Sequence, residues 1–280
     1  MSLFSKRLLE WHKKEGRKDL PWQQDITPYK VWISEIMLQQ TQVSTAIPYF
    51  LKFIQKFPDI DSLANATEDE VLSHWSGLGY YTRARNILKS AQLIKIEFES
   101  TLPKSIEKLV TLPGIGRSTA GAIRSIGYGL KAPILDGNVK RVLSRYFEIK
   151  EDLNKSSIQK ELWLLSEKVL PKSNFNVYTQ AIMDLGALVC KRKNPDCSSC
   201  PQKKHCLANK HKLTNSIPFK QNKKEKPLKN LYWLVAIDQQ GRLALEQKER
   251  NGVWKGLWTF LEFEEIELRE HYYKDLMEDS

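Results

Sequence analysis

Apolar residues in roughly the first two hundred positions recur every three or four residues, the spacing of helices that bury one face. Proline and glycine separate these runs, for example at Pro58, Gly77 and Gly114. The pattern therefore predicts a mainly α protein. Beyond an amphipathic first helix, the main predicted helices are Tyr29 to Thr45, Ile47 to Phe57, Thr67 to Trp75, Ala84 to Phe98, Leu153 to Leu170 and Val177 to Cys190.

The second predicted helix carries an acidic residue that its own sequence does not explain. Thr27 is a suitable N-cap for this helix and Pro28 a suitable first residue. Glu35 shares a face with Gln39 and Gln42 at i, i+4 and i+7, away from the apolar positions. No basic residue lies one turn away, so no ion pair within the helix accounts for the glutamate. These residues alone favour a solvated surface glutamate.

A glycine-rich turn interrupts two helical patterns in the middle of the chain. Leu112 to Gly116 (LPGIG) forms the break, and Ser118 to Ile126 resumes helical spacing, which predicts a helix-hairpin-helix over about residues 108–125. Free backbone N–H groups beside Gly114 and Gly116 could bind a phosphate without any side-chain charge. An ordinary glycine-broken turn is the alternative.

Two further segments combine residue types that suit DNA chemistry. Gly77 to Tyr81 (GLGYY) precedes Arg83 and Arg85, so the tyrosines could stack on a base while the arginines meet phosphate. Equally, the tyrosines could complete the core and the arginines could be solvated. Asp136 is either part of a simple turn with Gly137 or the N-cap of the next helix, and a capping aspartate stays ionised at neutral pH.

The charge of the chain favours a polyanionic partner. The net charge is +11 and the isoelectric point is about 9.3. Residues 207–229 are polar and lysine-rich and are predicted to be a linker, after which Tyr232 to Ile237 and Leu243 to Glu246 are predicted to pair as strands, with Gly252 to Phe263 as a further candidate. No apolar run reaches membrane length and no signal peptide is evident, so we expect a soluble cytoplasmic protein with no membrane partner.

The cysteines of the chain are clustered, which points to a metal site rather than to disulfides. Four thiolates suit zinc or a four-iron cluster, and the spacing does not separate the two. The cysteines lie in one short window, at Cys190, Cys197, Cys200 and Cys206.

Five segments carry a resemblance that is more specific than any of them alone. They are Ser34 to Val43 (SEIMLQQTQV), Gly77 to Asn86 (GLGYYTRARN), Leu112 to Ile123 (LPGIGRSTAGAI), Pro133 to Arg141 (PILDGNVKR) and the cysteine window. Over roughly residues 1–225 the chain closely resembles the adenine DNA glycosylases that act on adenine opposite 8-oxoguanine or guanine. The resemblance implies two helical subdomains with the active site in the cleft between them.

The resemblance also implies a domain plan and a cofactor. Residues 1–206 would form the glycosylase domain, in which residues 190–206 hold a [4Fe-4S] cluster rather than zinc. Residues 207–229 would form a basic linker, and residues 230–280 a short, incomplete α+β domain similar to the Nudix fold.

The same resemblance assigns roles to individual residues. It implies that Glu35 protonates the adenine leaving group and helps to activate water, that Asp136 stabilises the positive sugar, and that Asn138 holds the neighbourhood of Asp136. This chemistry needs a raised pKa at Glu35 and a low one at Asp136, and the adenine must flip out of the duplex. The implied DNA contacts are Gln40, Thr41, Leu78, Tyr80, Gly114, Gly116, Ser118 and Lys140.

Ser118 predicts that the enzyme cleaves no DNA strand. Endonuclease III looks similar through the hairpin and the iron-sulfur loop, but it has a lysine at this position, and that amine forms the Schiff base needed for strand cleavage. A serine cannot form one, so the expected product is an abasic site. Efficient borohydride trapping of the enzyme on DNA, lost when a lysine such as Lys140 is replaced, would contradict this expectation.

The resemblance to the family's C-terminal domain stops near Phe263. In the family, that domain recognises 8-oxoguanine and thereby distinguishes it from guanine. No Nudix hydrolase motif is present, and we expect no nucleotide pyrophosphatase activity.

Two other functions remain open at the level of sequence. The chain could be an endonuclease III-like glycosylase for another base, or a non-catalytic module that binds DNA through the hairpin and the basic linker. In each case we expect a monomer that binds double-stranded DNA.

Overall fold

The computed structural model of the chain describes residues 2–219, 228, 230–248 and 256–263. Contacts between residues divide the chain into two compact units, Met1–Gln221 and Asn222–Ser280. No helix within the described ranges is both long and apolar enough to cross a membrane.

The first unit is built from α-helices, as the periodicity of apolar residues predicts. A 3₁₀ turn covers Pro21–Gln23, and π turns over Ile123–Gly127 and Leu185–Val189 extend α8 and α11. The described helices are α1 (Leu3–Glu15), α2 (Pro28–Met37), α3 (Val43–Lys56), α4 (Ile60–Ala64), α5 (Glu68–Trp75), α6 (Thr82–Glu97), α7 (Ile106–Leu109), α8 (Arg117–Ala122), α9 (Gly137–Tyr146), α10 (Ser156–Lys168), α11 (Phe175–Asp184) and α12 (Leu207–Lys210).

Buried apolar residues of the first unit form two clusters, which confirms the expected pair of helical subdomains. One cluster packs α2 to α6 around Trp32 and Trp75. The other packs α1 and α9 to α11 around residues such as Leu143. The segment after the hairpin lies between them, because Ile123 belongs to the first cluster and Ala122 to the second. Its π turn contacts both α2 and α11, so the hairpin fixes the two subdomains side by side.

Helix α2 is shorter than the sequence predicts. It begins as expected, with Thr27 Oγ1 accepting a hydrogen bond from the backbone N–H of Lys30 at 3.1 Å. It ends at Met37 rather than Thr45, and Gln40 takes a left-handed conformation with φ 60°. The predicted shared helical face of Glu35 with two glutamines is therefore wrong. The apolar pattern continues into α3 and conceals this break.

The predicted linker is also partly wrong. Its first residues form α12, in which Ala208 is fully buried. Ile217 is buried as well, and its carbonyl accepts a hydrogen bond from Nε of Arg145 at 2.8 Å. Residues 207–219 thus belong to the first unit, because a few apolar side chains anchor a mostly polar segment. Most of residues 220–229 lies outside the described part.

The second unit contains short antiparallel strands. β1 (Tyr232–Leu234) pairs with β4 (Leu261–Phe263), and β2 (Glu246–Gln247) pairs with β3 (Trp258–Thr259). A single bridge joins Ile237 to Leu243 across the predicted turn, but the partner of β1 is β4 rather than the segment predicted. The acidic residues 264–280 lie outside the described residues.

Candidate active site

A cleft of about 680 Å³ brings together the predicted catalytic residues and some of the predicted DNA contacts. Its walls come from α2 and the loop after it, from α8, from the start of α9 and from α11. The predicted residues that line it are Glu35, Gln40, Thr41, Ser118, Asp136 and Asn138. The residues that sequence reasoning missed include Arg17, Trp22, Arg141 and Gln180.

Asp136 is the N-cap of α9, which decides between the two interpretations of its segment. Its Oδ1 accepts a hydrogen bond from the backbone N–H of Val139 at 2.8 Å. Its Oδ2 accepts a hydrogen bond from Nδ2 of Asn138 at 3.2 Å. The side chain is thereby fixed at the start of the helix and faces the cleft.

Glu35 lies in the last turns of α2 and is partly exposed to the cleft. Burial and, to a smaller extent, the negative charge of Asp136 together raise its pKa to about 8. The carboxyl group therefore keeps its proton at neutral pH. This agrees with the raised pKa that an acid catalyst at this position would need.

The pKa of Asp136 corrects one expectation. Burial raises it above the usual value of an aspartate, and this outweighs the hydrogen bonds from Val139 and Asn138 and the positive charge of Arg141. A cap alone therefore does not give a low pKa here. Because the charge of Asp136 contributes to the raised pKa of Glu35, Asp136 loses its proton first and Glu35 is the acid of the pair.

Arg141 links Asp136 to the cysteine window through Asn138. Nη2 of Arg141 donates to Oδ1 of Asn138 and to the carbonyl of Gly186, each at 2.7 Å, and Nε donates to the carbonyl of Cys190 at 2.7 Å. A β-carbon on Gly186 would lie 2.6 Å from Cβ of Asn138, so a glycine is needed for this approach. The spacing of three residues between Asn138 and Arg141 on a helix is a sequence signal for this contact.

A buried carboxylate holds two residues of the cleft wall. Asp184 is fully buried and accepts hydrogen bonds from the backbone N–H of Arg17 at 2.9 Å, from its Nε at 2.9 Å and from its Nη2 at 2.6 Å. Nε2 of Gln180 donates to the same carboxylate at 2.9 Å. Burial alone would raise the pKa of Asp184, but contacts with His12 and Arg17 lower it overall. The partners are 167 residues apart in sequence, so no local pattern predicts this cluster.

The GLGYY loop combines both of its sequence-based interpretations. Tyr80 is 59% exposed with φ 51°, which suits a contact residue. Arg85 pairs at the surface with Glu68 at 2.7 Å, whereas Arg83 is only 9% exposed, so the alternative of solvated arginines does not hold for Arg83. Leu78 is 7% exposed and packs in the first apolar cluster. Its side chain therefore helps to complete the core, and its contact with DNA stays a prediction.

The hairpin has the expected order of helix, glycine turn and helix. Gly114 has φ 80°, and a β-carbon there would lie 3.0 Å from Cβ of Asn86. Gly116 is the N-cap of α8 and has open space around it. Ser118 belongs to the cleft, where its Oγ accepts a hydrogen bond from the backbone N–H of Leu135 at 3.0 Å. Lys140 lines a separate basic surface cavity.

The four cysteines line one small cavity beside Arg145. Burial and the neighbouring thiols raise the pKa of Cys200 to about 12. Nη1 of Arg145 donates to Sγ of Cys190 at 3.2 Å. Four cysteine sulfurs around one cavity fit the donor set of an iron-sulfur cluster. A raised thiol pKa also fits a metal site, because the thiol loses its proton when a metal cation binds in its place. Among the described residues, no three candidate ligands form a ready site for a single metal ion.

Comparison with known proteins agrees with this geometry. Residues 33–168 match the family described as HhH-GPD superfamily base excision DNA repair protein. The chain is 47% identical over 261 residues to an adenine DNA glycosylase of Buchnera aphidicola subsp. Baizongia pistaciae, covering 93% of this chain and 74% of that protein. It is 41% identical over 217 residues to the human adenine DNA glycosylase, covering 74% of this chain and 40% of that protein.

Solved structures share the helical fold. A thermostable thymine-DNA glycosylase superposes with a TM-score of 0.68 at 26% identity, covering 75% of this chain and 96% of that chain. Endonuclease III in a non-covalent complex with DNA superposes with a TM-score of 0.62 at 22% identity, covering 76% of this chain and 99% of that chain, which is a likeness of fold. The relatives, the helix-hairpin-helix and the two carboxyl groups of the cleft all agree. The chain belongs to the adenine DNA glycosylase family, whose members are hydrolases of base excision DNA repair.

Proposed function

We propose that this protein hydrolyses the N-glycosidic bond of adenine mispaired with 8-oxoguanine or guanine in duplex DNA and leaves an abasic site. The observation that carries the proposal is the pair of carboxyl groups in one cleft, of which Glu35 keeps its proton at neutral pH. The names of the relatives supply the base, and the net charge of +11 suits a DNA substrate.

The two carboxyl groups divide the chemistry. Glu35 donates its proton to a ring nitrogen of adenine as the bond to C1′ of the sugar breaks, so the base leaves as a neutral molecule with the bonding electrons. The ionised Asp136 stabilises the positive charge that develops on the sugar. A water oxygen then bonds to C1′, and its proton returns to the carboxylate of Glu35.

The base must leave the helix to reach these groups. A cleft of about 680 Å³ lies within the usual size range of small-molecule sites and has room for one flipped nucleotide. Gln40 and Tyr80 are exposed on neighbouring loops and are proposed to contact the distorted base pair. The open backbone at Gly116 is proposed to approach a phosphate, with Lys140 and the other predicted contacts completing the DNA surface.

The cleft supports a monofunctional enzyme. Its described lining includes two arginines and no lysine, and Ser118 stands where a Schiff-base lysine would be needed. Strand cleavage through a covalent amine intermediate therefore has no amine among the described lining residues.

The four cysteines of the 190–206 window are proposed to hold a [4Fe-4S] cluster. When bound, the cluster cross-links this window and thus supplies structural support. The carbonyl of Cys190 accepts a hydrogen bond from Arg141, which also holds Asn138. Residues of the window thereby help to set the position of Asp136.

The experiment that tests the proposal is single-turnover base release followed by alkali. Duplexes would carry adenine opposite 8-oxoguanine, guanine or thymine, together with a thymine–guanine mispair. We expect alkali-dependent cleavage at mispaired adenine alone. Release of thymine instead would favour a glycosylase for another base, the activity named for the structural neighbour. Binding without release of any base would favour the non-catalytic module.

The protein is further proposed to act as a monomer in the cytoplasm, on the DNA of the nucleoid. Light scattering on the purified protein, alone and with duplex, tests the first part. A mass near 32.6 kDa for the free protein is expected, and a stable dimer would contradict it.

A further inference from the structure

We propose that Arg83 is a positioning residue that couples two DNA-facing loops, the α2–α3 loop (residues 38–42) and the α5–α6 loop (residues 76–81). The inference rests on the proposed function where it concerns DNA. The coupling itself is a property of the free protein.

One guanidinium group serves both loops. Nη1 of Arg83 donates to the carbonyls of Ile36 and Met37, each at 2.9 Å, and of Gln39 at 2.6 Å. Nη2 donates to the carbonyls of Leu78 at 3.3 Å and Gly79 at 3.1 Å. The carbonyls of Ile36 and Met37 belong to the last turn of α2, where a helix leaves carbonyls without an i+4 partner, and the carbonyl of Gln39 belongs to the α2–α3 loop. The other two lie in the α5–α6 loop, so the two loops share one donor group.

The side chain of Thr41 closes the arrangement. Its Oγ1 lies 3.4 Å from both Nη1 and Nη2 of Arg83. Thr41 itself belongs to the α2–α3 loop, and through the guanidinium it is connected to Gly79 on the other loop.

The shared donor lies beside two residues in left-handed conformations. Gln40 has φ 60° and lies between the two residues of its loop that bind Arg83, and Tyr80 has φ 51° and follows Gly79. A non-glycine residue keeps such a conformation only where its surroundings impose it. The guanidinium also lies 5.4 Å from the centre of the Tyr80 ring. Arg83 thus binds the residues on either side of Gln40 and the backbone just before Tyr80.

The bonding pattern of Arg83 differs from that of an ordinary buried arginine. Buried arginines are normally paired with a carboxylate, yet across the described ranges no carboxylate lies within ion-pair distance of Arg83. Backbone carbonyls and one hydroxyl take its bonds instead. The fork of an arginine reaches acceptors in two directions, whereas a lysine concentrates its donors at one point. Arg83→Lys therefore keeps the charge and removes the shared contact.

The consequence for DNA binding is that Gln40 and Tyr80 act as one unit. If each loop moved independently, the exposed side chains would lose their mutual position, and recognition of a distorted pair would weaken. Arg83 also binds the carbonyl of Ile36, the residue after Glu35, so its replacement could displace α2. A displaced α2 would change the surroundings of Glu35, hence its pKa and the pH profile of base release. The pH profile therefore separates lost loop coupling from a displaced acid.

Hydrogen exchange of the free protein is the first test. We expect Arg83→Lys to speed amide exchange in both loops by at least about tenfold, with residues 112–116 of the hairpin unchanged. Arg85→Lys, on the same helix but in a surface pair with Glu68, is the matched control for exchange. Faster exchange in the α5–α6 loop alone, or in neither loop, would overturn the proposal.

A second variant keeps the test valid if Arg83→Lys does not fold. Thr41→Val removes the hydroxyl acceptor but preserves the shape of the side chain. Since Thr41 reaches the α5–α6 loop through Arg83, we expect a smaller acceleration that nevertheless extends to residues 76–81. Acceleration restricted to residues 38–42 would contradict the coupling.

A double-mutant cycle then measures the coupling on DNA. The readout is the ratio of the dissociation constants for matched and mispaired duplexes. It is measured for Gln40→Ala, Tyr80→Ala and both together, first in the otherwise unaltered protein and then in the Arg83→Lys variant. We expect the two alanine substitutions to be non-additive in the first background and additive in the second, with the pH profile of base release unchanged. Equal coupling in both backgrounds would overturn the proposal. Should the unaltered protein prefer no mispair, the proposed function fails and hydrogen exchange alone decides the coupling.

Discussion

Glu35 on α2 and Asp184 on α11 belong to the two different helical subdomains, and both lie at or near the cleft. Their pKa values shift in opposite directions from the usual values of a carboxyl group. Burial and, to a smaller extent, the negative charge of Asp136 together raise the pKa of Glu35 to about 8. Asp184 has no exposed surface, yet its pKa falls, because His12, Arg17 and its other partners outweigh burial. Burial acts to raise both pKa values, so the neighbouring charges and hydrogen bonds decide the direction of each shift.

The partners of each carboxyl group decide its use. Asp184 accepts hydrogen bonds from Arg17 and Gln180 and stays ionised, so it suits a structural role that holds the cleft wall. Glu35 shares the cleft with a second acid, Asp136, and keeps a proton it can donate. Removing each group in turn should therefore damage different properties of the protein.

The largest effect is expected for Glu35→Gln. The glutamine cannot donate a proton to the base, so single-turnover release of adenine should fall by about 10²–10⁴-fold. Duplex binding should persist, because the substitution keeps the shape of the side chain. Glu97→Gln, an exposed glutamate at the end of α6, is the control and should release adenine at the original rate. Full activity of Glu35→Gln would remove the acid from the mechanism.

Asp184→Asn should instead act on stability. It leaves the guanidinium of Arg17 without its charged partner, which should lower the free energy of unfolding by about 2–4 kcal/mol. Urea unfolding measures this, with Glu167→Gln as the control, since Glu167 forms an exposed pair with Lys131 at 3.4 Å. A loss no larger than that of the control would mean that the buried cluster contributes little.

The two carboxyl groups should also give opposite slopes of stability with pH. Asp184 has a lowered folded-state pKa, so its contribution is present above its unfolded value, near ~3.9, and is lost as the pH falls through the folded value. Glu35 has a raised folded-state pKa, so stability from its protonated form is complete below its unfolded value, near ~4.3, and is lost as the pH rises towards about 8. Urea unfolding at a series of pH values gives the free energy of unfolding of the unaltered protein and of Asp184→Asn and Glu35→Gln. The difference between the unaltered protein and each variant, plotted against pH, isolates the slope due to each carboxyl group. Slopes of equal sign would refute the contrast.

Titration of Glu35 by carbon NMR sharpens the same contrast without relying on activity. We expect a midpoint near pH 8 in the unaltered protein and a lower midpoint in Asp136→Asn, because a neighbouring negative charge has been removed. Asp184→Asn should leave the midpoint in place. Adenine release should decline above the midpoint, since ionised Glu35 has no proton to give. An unchanged midpoint in Asp136→Asn would show that burial alone sets this pKa.

The sequence predicted one of these two carboxyl groups and could not predict the other. The SEIMLQQTQV segment carries the family resemblance that identifies Glu35, although its helical period alone favoured a solvated residue. Asp184 is paired with Arg17, which lies 167 residues away in sequence. Nothing near either residue in the sequence therefore indicates the contact. A burial pattern on α11 could have marked Asp184 as buried, but not as paired.

The elements of the fold show the same division. Helical periodicity and the caps at Thr27 and Thr67 were predictable, because both depend on residues within one turn. The end of α2 was not, because Arg83 binds the carbonyls of Ile36 and Met37 from 47 and 46 residues away. The burial of Leu78 was missed for a similar reason. A glycine-rich loop suggests exposure, whereas this leucine packs into the first apolar cluster.

The smallest effect is expected at the link between Asp136 and the cysteine window. Asn138→Ala removes the hydrogen bond to Oδ2 of Asp136 and the acceptor for Arg141, but Val139 still holds Oδ1. A hydrogen bond to an ionised carboxylate is worth at least about 1.5 kcal/mol, so adenine release should fall by about tenfold, with mispair binding unchanged. Single-turnover kinetics and duplex titration measure the two quantities. A loss as large as that of Glu35→Gln would mean that Asn138 holds Asp136 in its reactive position and that the cap at Val139 is insufficient. No loss would mean that the cap alone positions the carboxylate, and the link to Cys190 would then serve the stability of the cysteine window.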